Sequence, residues 1–172
     1  MGYRLYSIHR TKDLAAAVEE AEAIFVGGGN TFRLLKEFYD NDLLTGIRKR
    51  VRAGIPYLGS SAGTVVACPT LKTTNDMPIV HPPSFVALGI IGFQINPHYF
   101  DADPSSTHMG ETRRQRLSEF VEETGQPVVA LREGAMLCSE RGRVRLKGCA
   151  SALIFRTSAE PTEVSPGALL DI

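Results

Sequence analysis

Over the first sixty residues, apolar positions follow two periods. Short continuous runs, "AIFV" at 23–26 and "IPYLG" at 55–59, are separated by stretches in which apolar residues recur every three or four positions. Tyr3 to Ile8 reads as a strand. Thr11 then caps a predicted helix with the stripe Leu14, Ala17, Val18 and Ala21. A second helix is predicted from Thr31 to Tyr39 with Leu34, Leu35 and Phe38 on one side, and a third from Leu43 to Ala53 with Leu44, Ile47 and Val51, closed by Gly54. Buried strands alternating with amphipathic helices predict an α/β fold, a mostly parallel sheet in three layers with helices on both faces.

After Cys68 the pattern breaks. Pro69, Pro78, Pro82, Pro83, Pro97 and Pro104 punctuate a long irregular region holding one short strand, "FQIN", and long loops in a compact domain usually carry function. A helix is predicted from Glu111 to Glu123, followed by the strands "PVVAL", "AMLCSE", "RVRLK" and "ALIFR", which read as an antiparallel tail. No repeat or linker interrupts the chain, so residues 1–172 are expected to form a single domain.

Composition narrows the function. Lys+Arg and Asp+Glu both total 19, which argues against general attraction to nucleic acid or an anionic membrane and favours a small-molecule or peptide partner. No apolar run approaches the ~18 residues of a bilayer span, and the first residues lack a signal peptide's apolar segment, so a cytoplasmic location is expected. Cys68, Cys138 and Cys149 form no CxxC pair. Neither a disulfide framework nor a zinc site is favoured, and no cofactor or metal is expected.

The candidate chemistry starts at Gly59-Ser60-Ser61-Ala62-Gly63, a G-x-S-x-G centred on Ser61 where a predicted strand hands over to a helix. A nucleophile held outward on a tight turn and a plain helix-capping serine both fit this pentapeptide. Of the histidines, His9, His81 and His108 read as surface residues. His98 follows the strand "FQIN" and Pro97, at a sheet edge where open α/β sheets place ligands. The glycines of "GGGNT" lack the spacing of a dinucleotide or phosphate loop. They still let backbone approach a substrate oxygen, and the N–H groups of Gly29 and Ala62 could form an oxyanion hole beside Asn30, a candidate helix cap and substrate contact.

Five stretches in order, "VGGGNTF", "GSSAG", "TTNDMPIV", "INPH" and "GETRRQR", resemble peptidase E, the α-aspartyl dipeptidase family. The resemblance runs from about Ile8 to Glu133 and is loose over the last forty residues. It implies a fold similar to class I glutamine amidotransferases, metal-independent cleavage of Asp-Xaa dipeptides, Ser61 as nucleophile, His98 as general base, and the Gly29 and Ala62 amides as oxyanion hole. Glu133 and Asp76 both match acidic positions assigned to that family's triad. Strand-end placement after "PVVAL" ranks Glu133 first, with Asp76 kept as a site residue. Arg113 matches the family's arginine for the aspartyl side chain, and at ~100° per residue it also falls on the stripe of Leu117, Phe120 and Val121, facing inward.

Competing expectations are a cyanophycinase-like peptidase for β-aspartyl links, an esterase, or a catalytically silent binding protein that keeps the fold. Compared with the family, only "MGYRLY" precedes the region matching "SIHR", in place of a usual strand–helix unit. The apolar surface this would leave uncovered predicts a homodimer or larger assembly.

Overall fold

The computed structural model describes residues 2, 4–107 and 109–172. Tyr3 lies outside the described residues, and 4–7 form no strand: the expected strand from Tyr3 to Ile8 is replaced by irregular chain and a 3-10 turn at Ile8–Arg10. Its apolar residues find no sheet partner, and Leu5 and Tyr6 are exposed. His108, read as a surface histidine, is likewise outside the described residues.

The first helix, α1 (Leu14–Glu20), is capped by Asp13 rather than Thr11: the carboxylate accepts from the Ala16 N–H at 2.9 Å. Strand β1 (Ile24–Val26) leads to α2 (Thr31–Asp40) and α3 (Leu43–Arg52). Strand β2 (Tyr57–Gly59) then returns parallel to β1, in the register Ile24–Tyr57, Phe25–Leu58 and Val26–Gly59. Phe32, Leu35 and Phe38 of α2, Leu43, Leu44 and Ile47 of α3, and Val65 and Val66 of the next helix, α4 (Ala62–Ala67), close one core. Full burial of such side chains contributes about 1.5–3 kcal/mol each. The helical periods read from the sequence are these inward faces.

The irregular region wraps back on α4. A helix end leaves its last carbonyls without partners, and here the N–H groups of Leu88, Gly89 and Ile90 donate to the carbonyls of Val66, Cys68 and Ala67. Cys68 sits fully buried, with its Sγ accepting from the Ile95 N–H at 3.2 Å. Burial pushes the thiol up to about 12, so it is an inert core group that ties α4 to β3 (Gln94–Asn96).

Strand β3 pairs parallel with β4 (Val128–Leu131), which pairs antiparallel with β7 (Ala152–Phe155) and through it with β8 (Thr162–Val164). Alternate residues face opposite sides of a strand. Val128, Ala130, Leu153 and Phe155 pack with Leu117 and Val121 of α5 (Arg113–Thr124). Val129, Leu131, Ala152 and Ile154 pack instead with Leu146 and Leu170 of a second antiparallel sheet, β5 (Ala135–Glu140), β6 (Arg143–Gly148) and β9 (Leu169–Leu170). A helix covers one face and a hairpin sheet the other, where the sequence predicts helices on both. The architecture is α/β with mixed sheets and an antiparallel C-terminal part. The short strands β8 and β9 escape the sequence because two or three residues carry no readable period.

Candidate active site

Strand β2 ends at Gly59 and α4 starts at Ala62, so Ser60 and Ser61 make the whole turn between them. Ser61 adopts φ 52° and ψ −112°, a conformation that costs of order 1–3 kcal/mol and persists only where the surroundings enforce it. Main chain enforces it here. The Ser60 N–H donates to the Val26 carbonyl, the Gly63 N–H to the Gly27 and Ser60 carbonyls, and the Thr64 and Val65 N–H groups to the Ser61 carbonyl. This close approach needs glycine: a Cβ on Gly63 would stand 2.0 Å from the Val26 oxygen, and one on Gly59 2.6 Å from the Gly63 oxygen. Tyr57, its hydroxyl pKa raised by burial, donates to that same Gly63 carbonyl at 2.7 Å.

Ser61 precedes α4, yet its hydroxyl makes no capping bond. Ser61 Oγ instead lies 2.9 Å from His98 Nε2, and His98 Nδ1 is bonded to Glu133 Oε1. These contacts join residues 37 and 35 positions apart. The sheet explains the meeting: β3 and β4 run parallel with Asn96 beside Ala130, so the turns beyond both strands emerge at one edge, the arrangement that open sheets use for ligands. His98 has φ 58°. Its ring is 49% exposed and the Glu133 side chain 80% exposed.

The Gly27–Gly29 loop lies against this serine, since a Cβ on Gly28 would meet Ser61 Cβ at 3.3 Å. Gly29 takes φ +136°, which favours glycine. Among the described residues, the amides of Gly29 and Ala62 donate to no other protein group, and Ala62 is buried at the start of α4.

Asn30 and Asp76 are engaged elsewhere. Asn30 caps α2, accepting from the Arg33 N–H at 3.1 Å and donating to the Met77 carbonyl at 2.9 Å. Asp76 Oδ2 accepts from the Thr31 N–H at 2.7 Å and the Thr31 hydroxyl at 2.6 Å. Its carboxylate therefore serves the N-terminus of α2 and does not reach the histidine, which is met by Glu133. The loop carrying Asp76 bridges the two elements: Thr73 and Asn75 bond to Ile95, Asn96 and Pro97 at the end of β3, while Asp76 itself turns to α2. His9 is exposed on the 3-10 turn, and His81 lies beside Phe85.

Arg113 opens α5 after a capping box formed by Thr112 and Gln115. Its guanidinium donates to the His98 carbonyl and stacks 4.2 Å over the Phe100 ring. Burial first, and Arg116 second, hold its pKa below the ordinary arginine value, though arginine stays charged at any working pH. Among the described residues no carboxylate lies within ion-pair distance of it.

The sequence matches the family model described as Peptidase family S51 over residues 1–147. It is 51% identical, over 99% of this chain and 72% of the relative, to Peptidase E of Streptomyces coelicolor (strain ATCC BAA-471 / A3(2) / M145). The chain belongs to peptidase family S51. Another relative, described as "Probable alpha-aspartyl dipeptidase" of Drosophila melanogaster, is 47% identical over 96% of this chain and 69% of its own length. Among solved structures, a peptidase from an acI-B1 Actinobacterium superposes with a TM-score of 0.65 at 16% identity, over 92% of this chain. The chain spans 62% of the length of that structure.

Sequence reading missed the polar groups behind this S51 site, Tyr99, Asp101 and Arg132. No spacing singles them out, since the bonds of Arg132 reach residues 19 to 31 positions away. Among the described residues no helix is long and apolar enough to cross a membrane, and no group of His, Cys, Asp and Glu could hold a metal ion.

Proposed function

We propose that this chain is a serine-type dipeptidase that hydrolyses dipeptides with an N-terminal aspartate. The observation that carries the reading is the hydrogen-bonded line Ser61, His98, Glu133, which starts on the turn before α4. His98 Nε2 takes the Ser61 proton as Oγ attacks the peptide carbonyl, and Glu133 holds the ring through Nδ1 and stabilises the imidazolium. The developing oxyanion is met by the amides of Gly29 and Ala62. His98 returns the proton to the leaving amine, and water then hydrolyses the acyl-enzyme by the same steps. The half-buried Arg113, with no carboxylate of its own, supplies the cation for the aspartyl side chain. Asp76 and Asn30 shape the α2 end of the site.

The reading is tested by assaying Asp-Leu and Leu-Leu hydrolysis, with EDTA present. Asp-Leu alone is cleaved, Ser61→Ala abolishes the activity, and Ser60→Ala keeps most of it. Arg113→Met lowers kcat/KM for Asp-Leu by more than about tenfold, the scale for losing a charged hydrogen-bond partner, whereas Arg114→Met does not. Cleavage of β-aspartyl dipeptides with Asp-Leu left intact favours the cyanophycinase-like reading instead.

The same proposal includes one domain over residues 1–172, supported by α4 packing against β1, β2 and β3, and a cytoplasmic location, supported by three unpaired cysteines. It also includes a homodimer. Phe25 and Leu58, side by side in register on β1 and β2, are 60% and 55% exposed, an apolar pair that a second copy would cover. Light scattering of the purified chain measures it.

A further inference from the structure

We infer that Arg132 is a positioning residue that holds the turns carrying His98 and Glu133 in register, acting through Asp101. The inference rests on the triad reading above. Both turns are exposed, and the His98 backbone is in a left-handed conformation that must be enforced from outside. Among the described residues the Glu133 side chain has no hydrogen-bond partner but His98. Neither side chain therefore fixes the other: Arg113 holds the His98 carbonyl and the Ala135 N–H closes the Glu133 turn, and a further contact must set one turn against the other.

Arg132 directly precedes Glu133 and is less exposed than either carboxylate it touches. Its Nη2 donates to Asp101 Oδ2 at 2.7 Å, with Nε of the same fork 3.3 Å from that oxygen. Nη1 donates to Ser151 Oγ at 2.8 Å and to Glu163 Oε1 at 3.0 Å, and the Ser151 hydroxyl donates to the same Glu163 oxygen at 2.7 Å. Asp101, three residues beyond His98, accepts from the Tyr99 hydroxyl at 3.3 Å, and the Tyr99 N–H donates to the Leu131 carbonyl at 2.8 Å. The planar guanidinium thus spans from the His98 turn to β7 and β8, with the Glu133 turn attached to its own main chain. A flexible ammonium cannot make that set of bonds. Exposed ion pairs contribute little to stability, so the consequence of this cluster is geometric: a displacement of about 1 Å at a reacting group costs about 100-fold in rate.

Arg132→Met, Arg132→Lys and Asp101→Asn test this, each against Asp-Leu and by proton NMR of the His98 Nδ1–H, whose bond to Glu133 gives a low-field resonance. Each variant is expected to lower kcat about 10- to 100-fold, to leave KM within about threefold, and to broaden or move the low-field resonance. The double variant Arg132→Met/Asp101→Asn is expected to be no slower than the slower single variant, because both break one connection. Additive losses, or a low-field resonance unchanged in folded Arg132→Lys and Asp101→Asn, overturn the inference, as does its absence from the unsubstituted chain. If the unsubstituted chain shows the resonance but does not cleave Asp-Leu, the dipeptidase reading fails, and the resonance alone judges Arg132.

Discussion

Around Ser61 main chain held against main chain sets the side chain's place directly, whereas the Glu133 turn, also closed by main chain, is joined to the His98 turn largely through side chains. The Gly63 N–H rests on the Gly27 carbonyl, and the space left at Gly59 and Gly63 is too small for a Cβ. Glu133 sits on an exposed turn that main chain closes, the Ala135 N–H donating to the Arg132 carbonyl and the Cys149 N–H to the Gly134 carbonyl, and the Arg132 guanidinium with its two carboxylates joins that turn to its neighbours. The first region is rigid because its sterics admit one path for the chain. The side-chain link of the second can be dismantled one polar bond at a time without unfolding the sheets beneath it. The proposed catalytic line therefore depends on two kinds of support, and substitutions should separate them.

The largest effect is expected on the side-chain half. Glu133→Gln should lower kcat for Asp-Leu by about 1,000-fold, because an amide can hold the ring in the wrong tautomer and leaves the imidazolium without its carboxylate. Asp76→Asn should instead cost stability, about 1–2 kcal/mol, by weakening the bonds to the Thr31 N–H and hydroxyl. Urea unfolding and steady-state kinetics on both variants decide; a 1,000-fold loss of kcat in Asp76→Asn with Glu133→Gln unaffected would reverse the roles of the two acids.

On the main-chain half, Gly63→Ala should destabilise the fold by roughly 3 kcal/mol, the upper range for forcing atoms into a packed site. The obstructing Val26 oxygen belongs to β1 and cannot turn aside. Thermal unfolding measures this as a loss of roughly 2–4 °C per kcal/mol. An unchanged midpoint would show that the elbow yields, and the contrast between the halves would fall.

The smallest effect is a pH dependence confined to the side-chain half. The hydrogen bond from Arg132 is the main cause holding the Asp101 carboxyl below its ordinary value, with burial opposing it. A carboxyl depressed in the folded state stabilises it above the unfolded pKa of about 3.9, and that contribution is lost as pH falls through the folded value. The urea midpoints of the unsubstituted chain and Asp101→Asn should therefore differ at neutral pH and converge on acidification below that range. A gap that widens in acid contradicts the assignment.

How much was legible in the chain follows the same division. The pentapeptide around Ser61, the stripes of α2 and α3, the glycine loop and the inward direction of Arg113 are local matters: spacing and the size of a side chain decide them within a few residues. The strand expected at Tyr3 to Ile8 failed because a strand exists only by pairing, and no local pattern reveals whether a partner edge is present. Asp76 and Glu133 are both acidic loop residues, indistinguishable by composition. Which of them meets His98 was settled by the parallel register of β3 on β4, which delivers two turns 35 residues apart to one edge, while Asp76 itself turns to α2. The sequence by itself determined the helices and the tight turn that carries Ser61, because short-range sterics are written residue by residue. Only the tertiary structure decided the partner of the histidine and the Arg132 network behind it, because contacts between distant segments exist only once cooperative packing has offset the entropy of closing the loops between them.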